Sequence, residues 1–256
     1  MPIIEIIKVV LLLYAVQFLL APLLIYFSNR SSANPQFTTF DLANPPIPLP
    51  PSYLQSLPLL ESLGFEPVAH LFTGTLATNT RVVLTLYVNR MERVTGIVLH
   101  TLAEVRPMSR VVSTSIEFCT EFDDGHEIST LNSKQAALFT VIPEKQIFRL
   151  PNLTNLQELY EVHRTVTGQW LGANKRLALP GQEVNELIDG MKRDLARQEA
   201  FGQMALDASG EWYRPTMRGA IRGTLMLIWP VGTLRRMLQR RRGIRLAAEV
   251  LGNRPL

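Results

Sequence analysis

Asp123, Asp124, His126 and Glu127 form the densest polar group in the chain. Carboxylates and an imidazole at this spacing could hold a cation. With Glu117 a few residues upstream, they could also supply acid–base chemistry. The competing reading is structural, because Asp124-Gly125 is a preferred two-residue hairpin turn whose polar neighbours are simply solvated. The turn chemistry accounts for the group without any ligand. His70, His100, His126 and His163 show no ligand spacing, such as two imidazoles four apart on one helix. Cys119 is the single cysteine, so an intramolecular disulfide is impossible and a cysteine-based zinc site has no support. A lone thiol fits a reducing compartment, and without a basic neighbour in sequence nothing marks it as reactive. No serine lies in a G-x-S-x-G elbow and no glycine-rich phosphate loop is present. The sequence therefore implies no metal and no cofactor. Any enzyme here would assemble its site from residues distant in sequence, with Asp123, His126 and Glu117 as the polar cluster to nominate. Asn29 and Asn152 begin N-x-S/T triplets, which matter only in a secreted body.

The elements that would position these groups form an α+β body. Val82, Leu84, Leu86 and Val88 alternate with Arg81, Thr85 and Tyr87, the period of a half-buried strand. Val94 to Leu102 follows after a short loop. In Arg110 to Phe122, Ile116, Phe118 and Phe122 face one way while Ser115, Glu117, Cys119 and Glu121 face the other. Asp124-Gly125 leads into Ile128 to Leu131, and Leu138 to Ile142 with Gln146 to Leu150 read as a further hairpin. Short loops without intervening helices predict an antiparallel meander. After Pro151 the period becomes helical. Asn152 or Thr154 is expected to cap a helix to about Trp170, with Leu156, Leu159, Tyr160 and His163 on one face. A second helix is expected from about Gln182 to Leu206, and a short one over Tyr53 to Leu63 closed by Gly64.

Val9 to Phe27 is nineteen residues without a charge. As helix it covers about 28 Å, near the roughly 30 Å hydrocarbon thickness, and predicts a transmembrane helix. Residues 1–30 are thus expected to be an anchor and 31–51, rich in proline, an extended tether that leaves the body free to orient. Residues 52–210 form the α+β domain. Segment 211–256 is basic, with ten arginines, no lysine and two acids. Its uncharged stretch from Gly223 to Leu234 is too short to span, so it is expected to lie at an interface as an apolar insert. Trp229, Arg235, Arg236, Arg240, Arg241, Arg242 and Arg245 are the candidates for contact with anionic lipid. That contact would put the basic end, and with one span the whole body, on the cytoplasmic side of a cell membrane; Lys8 and Arg30 balance the flanks of the apolar run, so an extracytoplasmic body is the alternative. Nucleic acid is not implied, since charge occurs without a recognisable reader fold.

Four strings, LGFEPV from Leu63, FDDGHEISTLN from Phe122, ELYEVHR from Glu158 and YRPTMRGA from Tyr213, resemble a group of bacterial membrane-anchored proteins of unknown function. The resemblance implies no activity. It implies that body and basic end form one unit. Two functions follow as expectations: a single-pass, non-enzymatic binding or scaffold module for a protein or lipid partner, or a membrane-tethered enzyme.

Overall fold

The computed structural model describes residues 3–105, 108–133, 143–170, 172–228 and 230–252. In chain order its elements are α1 (Ile3–Ser28), β1 (Ser31–Ser32), β2 (Thr38–Thr39), α2 (Pro51–Ser62), β3 (Glu66–Thr73), β4 (Thr80–Asn89) and β5 (Val94–Val105). Then come β6 (Met108–Phe122), β7 (Glu127–Leu131), β8 (Lys145–Arg149), α3 (Leu156–Gly168), β9 (Lys175–Arg176) and α4 (Glu183–Ala200). The chain closes with β10 (Met204–Leu206), β11 (Trp212–Pro215), α5 (Met217–Leu227) and α6 (Val231–Leu251).

The main sheet runs β2-β3-β4-β5-β6-β7-β8, with β9 added beside the end of β6. Its pairs are antiparallel until the last, so the α+β class and the antiparallel-rich sheet are as the alternation predicts. β8 departs from the expected hairpin: it lies parallel to β7, in register from Glu127↔Lys145 to Leu131↔Arg149. A parallel neighbour cannot be reached by a tight turn, and the longer connection through residues 132–144 meets that requirement. The strand expected over Leu138 to Ile142 lies outside the described residues.

Both faces of the sheet are covered, which changes the reading of β4. Thr85 and Tyr87, expected on a solvated side, are buried together with Val83 beneath α2. Burial is tolerated because the polar atoms are paired. The Thr85 hydroxyl meets the Tyr53 hydroxyl at 2.6 Å and His70 Nδ1 at 2.8 Å. This side carries the large core, where Phe65, Phe118, Tyr160 and Leu159 pack between sheet, α2 and α3, and Ala247 and Leu251 bring in α6. Asn155, one residue beyond the expected caps, starts α3 by accepting from the backbone N–H groups of Gln157 and Glu158. His163 is a core residue: its ring bridges the hydroxyls of Thr120 at 2.9 Å and Thr130 at 3.0 Å. Burial pushes its pKa down to about 3, so it sits neutral in the fold. On the opposite face Leu71, Leu84 and Leu86 receive Val184 and Leu187 of α4.

The two ends of the chain meet. β1 pairs with β11, and β11 with β10, in a small separate sheet. Arg30 stacks over Trp212 at 4.6 Å, and Ala33 N–H donates to the Glu211 carbonyl at 2.8 Å. α5 lies against α1, with Ala220, Gly223 and Thr224 buried. Small side chains at those positions permit close helix approach. Residues 31–51 follow the body instead of standing off as a spacer. β2 extends the main sheet beside β3 and Ile47 is buried in the large core.

α1 is 26 residues long. Among the described residues no helix is long and apolar enough to cross a membrane. The side chains of Val10, Leu11, Leu13 and Tyr14 lie outside those residues, so the run from Val9 to Phe27 enters that statement in part.

Gly219, at the start of α5, has no room for a side chain, because a Cβ there would collide with the Gln203 backbone carbonyl. Gly219→Ala is therefore expected to lower stability by about 1–3 kcal/mol, as overpacking does, and to loosen α5 from β10. A thermal melt in detergent, with proteolysis between β11 and α5 as the local readout, checks this.

Candidate functional site

One face of α4 carries Glu183, Glu186, Leu187, Gly190, Met191 and Asp194, the three- and four-residue spacing of a single helical stripe. Beneath it lie rows of sheet residues fixed by register: Ile97, Glu117 and Leu131; Thr95, Cys119 and Ser129; Glu121, Glu127 and Lys145. Between helix and sheet is a cavity of about 290 Å³, with Arg176, Leu177 and Ala178 also in its lining. Gly190 lines it and leaves space above its Cα. A Cβ at that position would meet only the tip of Arg193, at 3.7 Å. The alternation of β6 was thus read with the correct period, but its polar face is roofed and not solvated.

The strongest interaction in the site joins three elements. Lys145 Nζ of β8 lies 2.9 Å from Glu127 Oε1 of β7 and 2.9 Å from Asp194 Oδ2 of α4. Glu127 also accepts from the Cys119 thiol at 3.2 Å and the Ser129 hydroxyl at 3.0 Å. Burial alone would raise the Glu127 pKa. The Lys145 ammonium overcomes it and holds the carboxyl below its ordinary value. Burial alone would lower Lys145, yet Glu127 and Asp194 hold it above its ordinary value. Burial, reinforced by the Glu127 charge, pushes the Cys119 thiol well up, so it is protonated and a poor nucleophile. Glu117 is raised by burial, which Lys145 and the Ser129 hydroxyl offset in part. Glu121 is raised likewise by burial, against the pull of Arg193.

At the mouth the remaining acids are matched with arginines. Arg90 meets Glu183 at 2.8 Å, Arg176 meets Glu186 at 3.3 Å, and Arg193 meets Glu121 at 3.4 Å. Burial would raise Glu183, but the Arg90 hydrogen bond holds it below its ordinary value.

Of the cluster nominated from sequence, Glu117 lines this cavity. His126 does not. It borders an adjoining depression of about 160 Å³, shared with Glu121, Glu127 and Arg193. There it lies 3.1 Å from Asp124 and packs on Trp170 with ring centroids 4.8 Å apart. Asp123 is structural, accepting from Asn174 N–H at 3.0 Å and Asn174 Nδ2 at 2.8 Å. Among the described residues no group of three or more His, Cys, Asp or Glu could hold a metal ion. Lys145 and Asp194 carried no signal in sequence, since their meaning arises from a parallel strand and a helix stacked on it. The one available clue was α4 itself, whose Leu187 and Met191 share a stripe with Glu186 and Asp194.

The candidates at the basic end lie on α6. Arg236, Arg240, Arg241, Arg242 and Arg245 are exposed, and Arg235 is half-buried beside Met226. Trp229 lies outside the described residues. Comparison with protein-family models, curated proteins and solved structures finds no match to the chain.

Because the folded chain holds a proton on Glu117 where the unfolded chain has lost it, this residue costs stability as pH rises from the ordinary carboxylate value through its folded value. Glu117→Gln is expected to raise the urea midpoint at about pH 8, an advantage over the parent that shrinks toward about pH 4. Paired unfolding curves at the two pH values measure it. An advantage that is absent at the higher pH, or that grows toward the lower, contradicts the assignment.

Proposed function

We propose that the chain is a membrane-anchored, non-enzymatic binding module, with α1 as a single-pass transmembrane helix and the cavity under α4 as its ligand site. The observation that carries the anchor is the outward display of apolar side chains on α1. Leu19 is 70% exposed, Leu24 66% and Phe27 74%. Each such side chain left in water forgoes about 1.5–3 kcal/mol that hydrocarbon would supply. At 26 residues the helix measures about 39 Å, longer than the roughly 30 Å core it would cross.

The basic end supports the same surface. Ile221 and Leu225 of α5 and Leu234, Met237 and Leu238 of α6 are exposed, beside the exposed arginines of α6. An apolar strip edged by arginine suits a segment lying among anionic headgroups, each basic side chain contributing about 1 kcal/mol. Anionic lipid on that side makes it the cytoplasmic face of a cell membrane, and the body lies with it.

Binding is preferred to catalysis because the reactive types in the cavity are committed. Lys145 is held between two carboxylates, and Cys119 keeps its proton. The second reading, a membrane-tethered enzyme, draws on the same cavity, since a deep pocket with converging carboxyls suits acid–base chemistry. In that reading Glu117, with its raised pKa, is the general acid.

The interfacial part is tested on the full chain with Cys119→Ser and Leu238→Cys, carrying a polarity-sensitive dye at position 238, in nanodiscs. The expected result is blue-shifted, quencher-protected emission in discs rich in anionic phospholipid, weakened by high salt, which screens surface charge. Emission like that in water in every disc removes the lipid contact. Release of the full chain by alkaline carbonate removes the anchor.

A further inference from the structure

We infer that the cavity under α4 takes an amphipathic cation, a protonated amine on a short apolar stem, with the charge received at Glu117 and the stem lying on Leu86, Ile97 and Leu187. This rests on the binding reading above and names its ligand class.

The charges around the cavity are unevenly settled. Three arginines at the mouth match Glu121, Glu183 and Glu186. Deeper in, the Lys145 ammonium is shared by Glu127 and Asp194, and Arg149 of β8 acts on Glu117 from beside it; two cations against these three carboxyl groups leave an excess of negative charge once Glu117 ionises. Glu117 lies beside Ser129, whose hydroxyl proton goes to Glu127, and among the described residues it forms no ion pair. Its cross-strand neighbours are Ile97 and Leu131, so it stands at the boundary between the carboxylates and the apolar wall.

Each ligand class meets this arrangement differently. An anion would enter among carboxylates and be repelled in a poorly screened space. A neutral apolar molecule would strip water from those carboxylates without replacing it. A bare metal ion would gain nothing from the leucine and isoleucine wall, and no three-ligand group awaits it. A cation with a short stem satisfies both halves at once. The volume of about 290 Å³ keeps it small, at the lower end of ligand pockets. Its charge would favour the ionised Glu117, so binding should expel a proton and weaken as pH falls.

Calorimetric titration of the full-length protein in neutral detergent, with n-hexylammonium, hexanol and hexanoate as probes, tests this on the parent, Glu117→Gln and Gly190→Leu. Leucine at 190 sits in an unstrained helix position with space before it. It gains about 1 kcal/mol of helix propensity over glycine, so a melt at or above the parent's accompanies a filled cavity. Hexylammonium is expected to bind at least about tenfold tighter than hexanol, with hexanoate weakest. Glu117→Gln should remove that preference, and Gly190→Leu should abolish binding. If hexanol or hexanoate binds as tightly as the amine, and Gly190→Leu blocks it, the cavity remains a ligand site and the cation inference falls. If no probe binds, or Gly190→Leu leaves binding unchanged, the binding reading itself falls.

Discussion

A single ammonium group under a helix governs the site. Lys145 reaches Glu127 on the neighbouring strand and Asp194 on α4 at the same 2.9 Å. Without it α4 would lower Asp194 onto a face already holding Glu117, Glu121 and Glu127. Removing one partner from a buried ion pair costs roughly 3–5 kcal/mol because the remaining charges are uncompensated. The register of β8 makes this pairing possible. Only a strand lying in register beside β7 sets Lys145 opposite Glu127.

The same sheet uses its two faces differently. Beneath α2, α3 and α6, polar atoms are few and several are paired, Tyr53 with Thr85 and His163 with Thr120 and Thr130, while His100 Nε2 has no partner among the described residues. The buried His163 imidazole there is a structural strut. Beneath α4, carboxylates, a thiol and an ammonium line an opening that Gly190 borders without a side chain. Desolvation without full compensation is what raises Glu117, and perturbed groups of this kind collect where proteins bind or react.

Much of this was legible in the residues, and the limits have physical causes. Alternation located β4, β5, β6 and β7, and helical spacing found α3 with its buried face of Leu156, Leu159, Tyr160 and His163. Alternation reports which side chains share a face and is silent on what covers it. Glu117, Cys119 and Glu121 are thus placed together on one face, with nothing in the alternation to reveal the helix above them. The polar group at the Asp124-Gly125 turn drew attention by density in sequence, yet Asp123 is spent on Asn174 and His126 on Asp124 and Trp170. Density in sequence is local, whereas the cavity takes its acids and bases from strands and a helix far apart along the chain. Lys145 and Asp194 are separated by α3 and β9 and could be joined by no motif.

The proposed anchor and the cavity share one continuous line of packed elements. α1 leads directly into β1, β1 pairs with β11, and β11 pairs with β10. β10 lies against the end of α4, where Glu199 accepts from the Leu206 N–H at 3.2 Å and the Tyr213 hydroxyl at 3.4 Å. The helix that roofs the cavity is thus pinned at one end by the small sheet that receives α1. Near its first turn it is pinned by Arg90 on Glu183, and in its middle by Lys145 on Asp194. Three attachments at different heights leave α4 little freedom to lift. A small cavity under a roof held in this way suits a ligand taken up without large rearrangement.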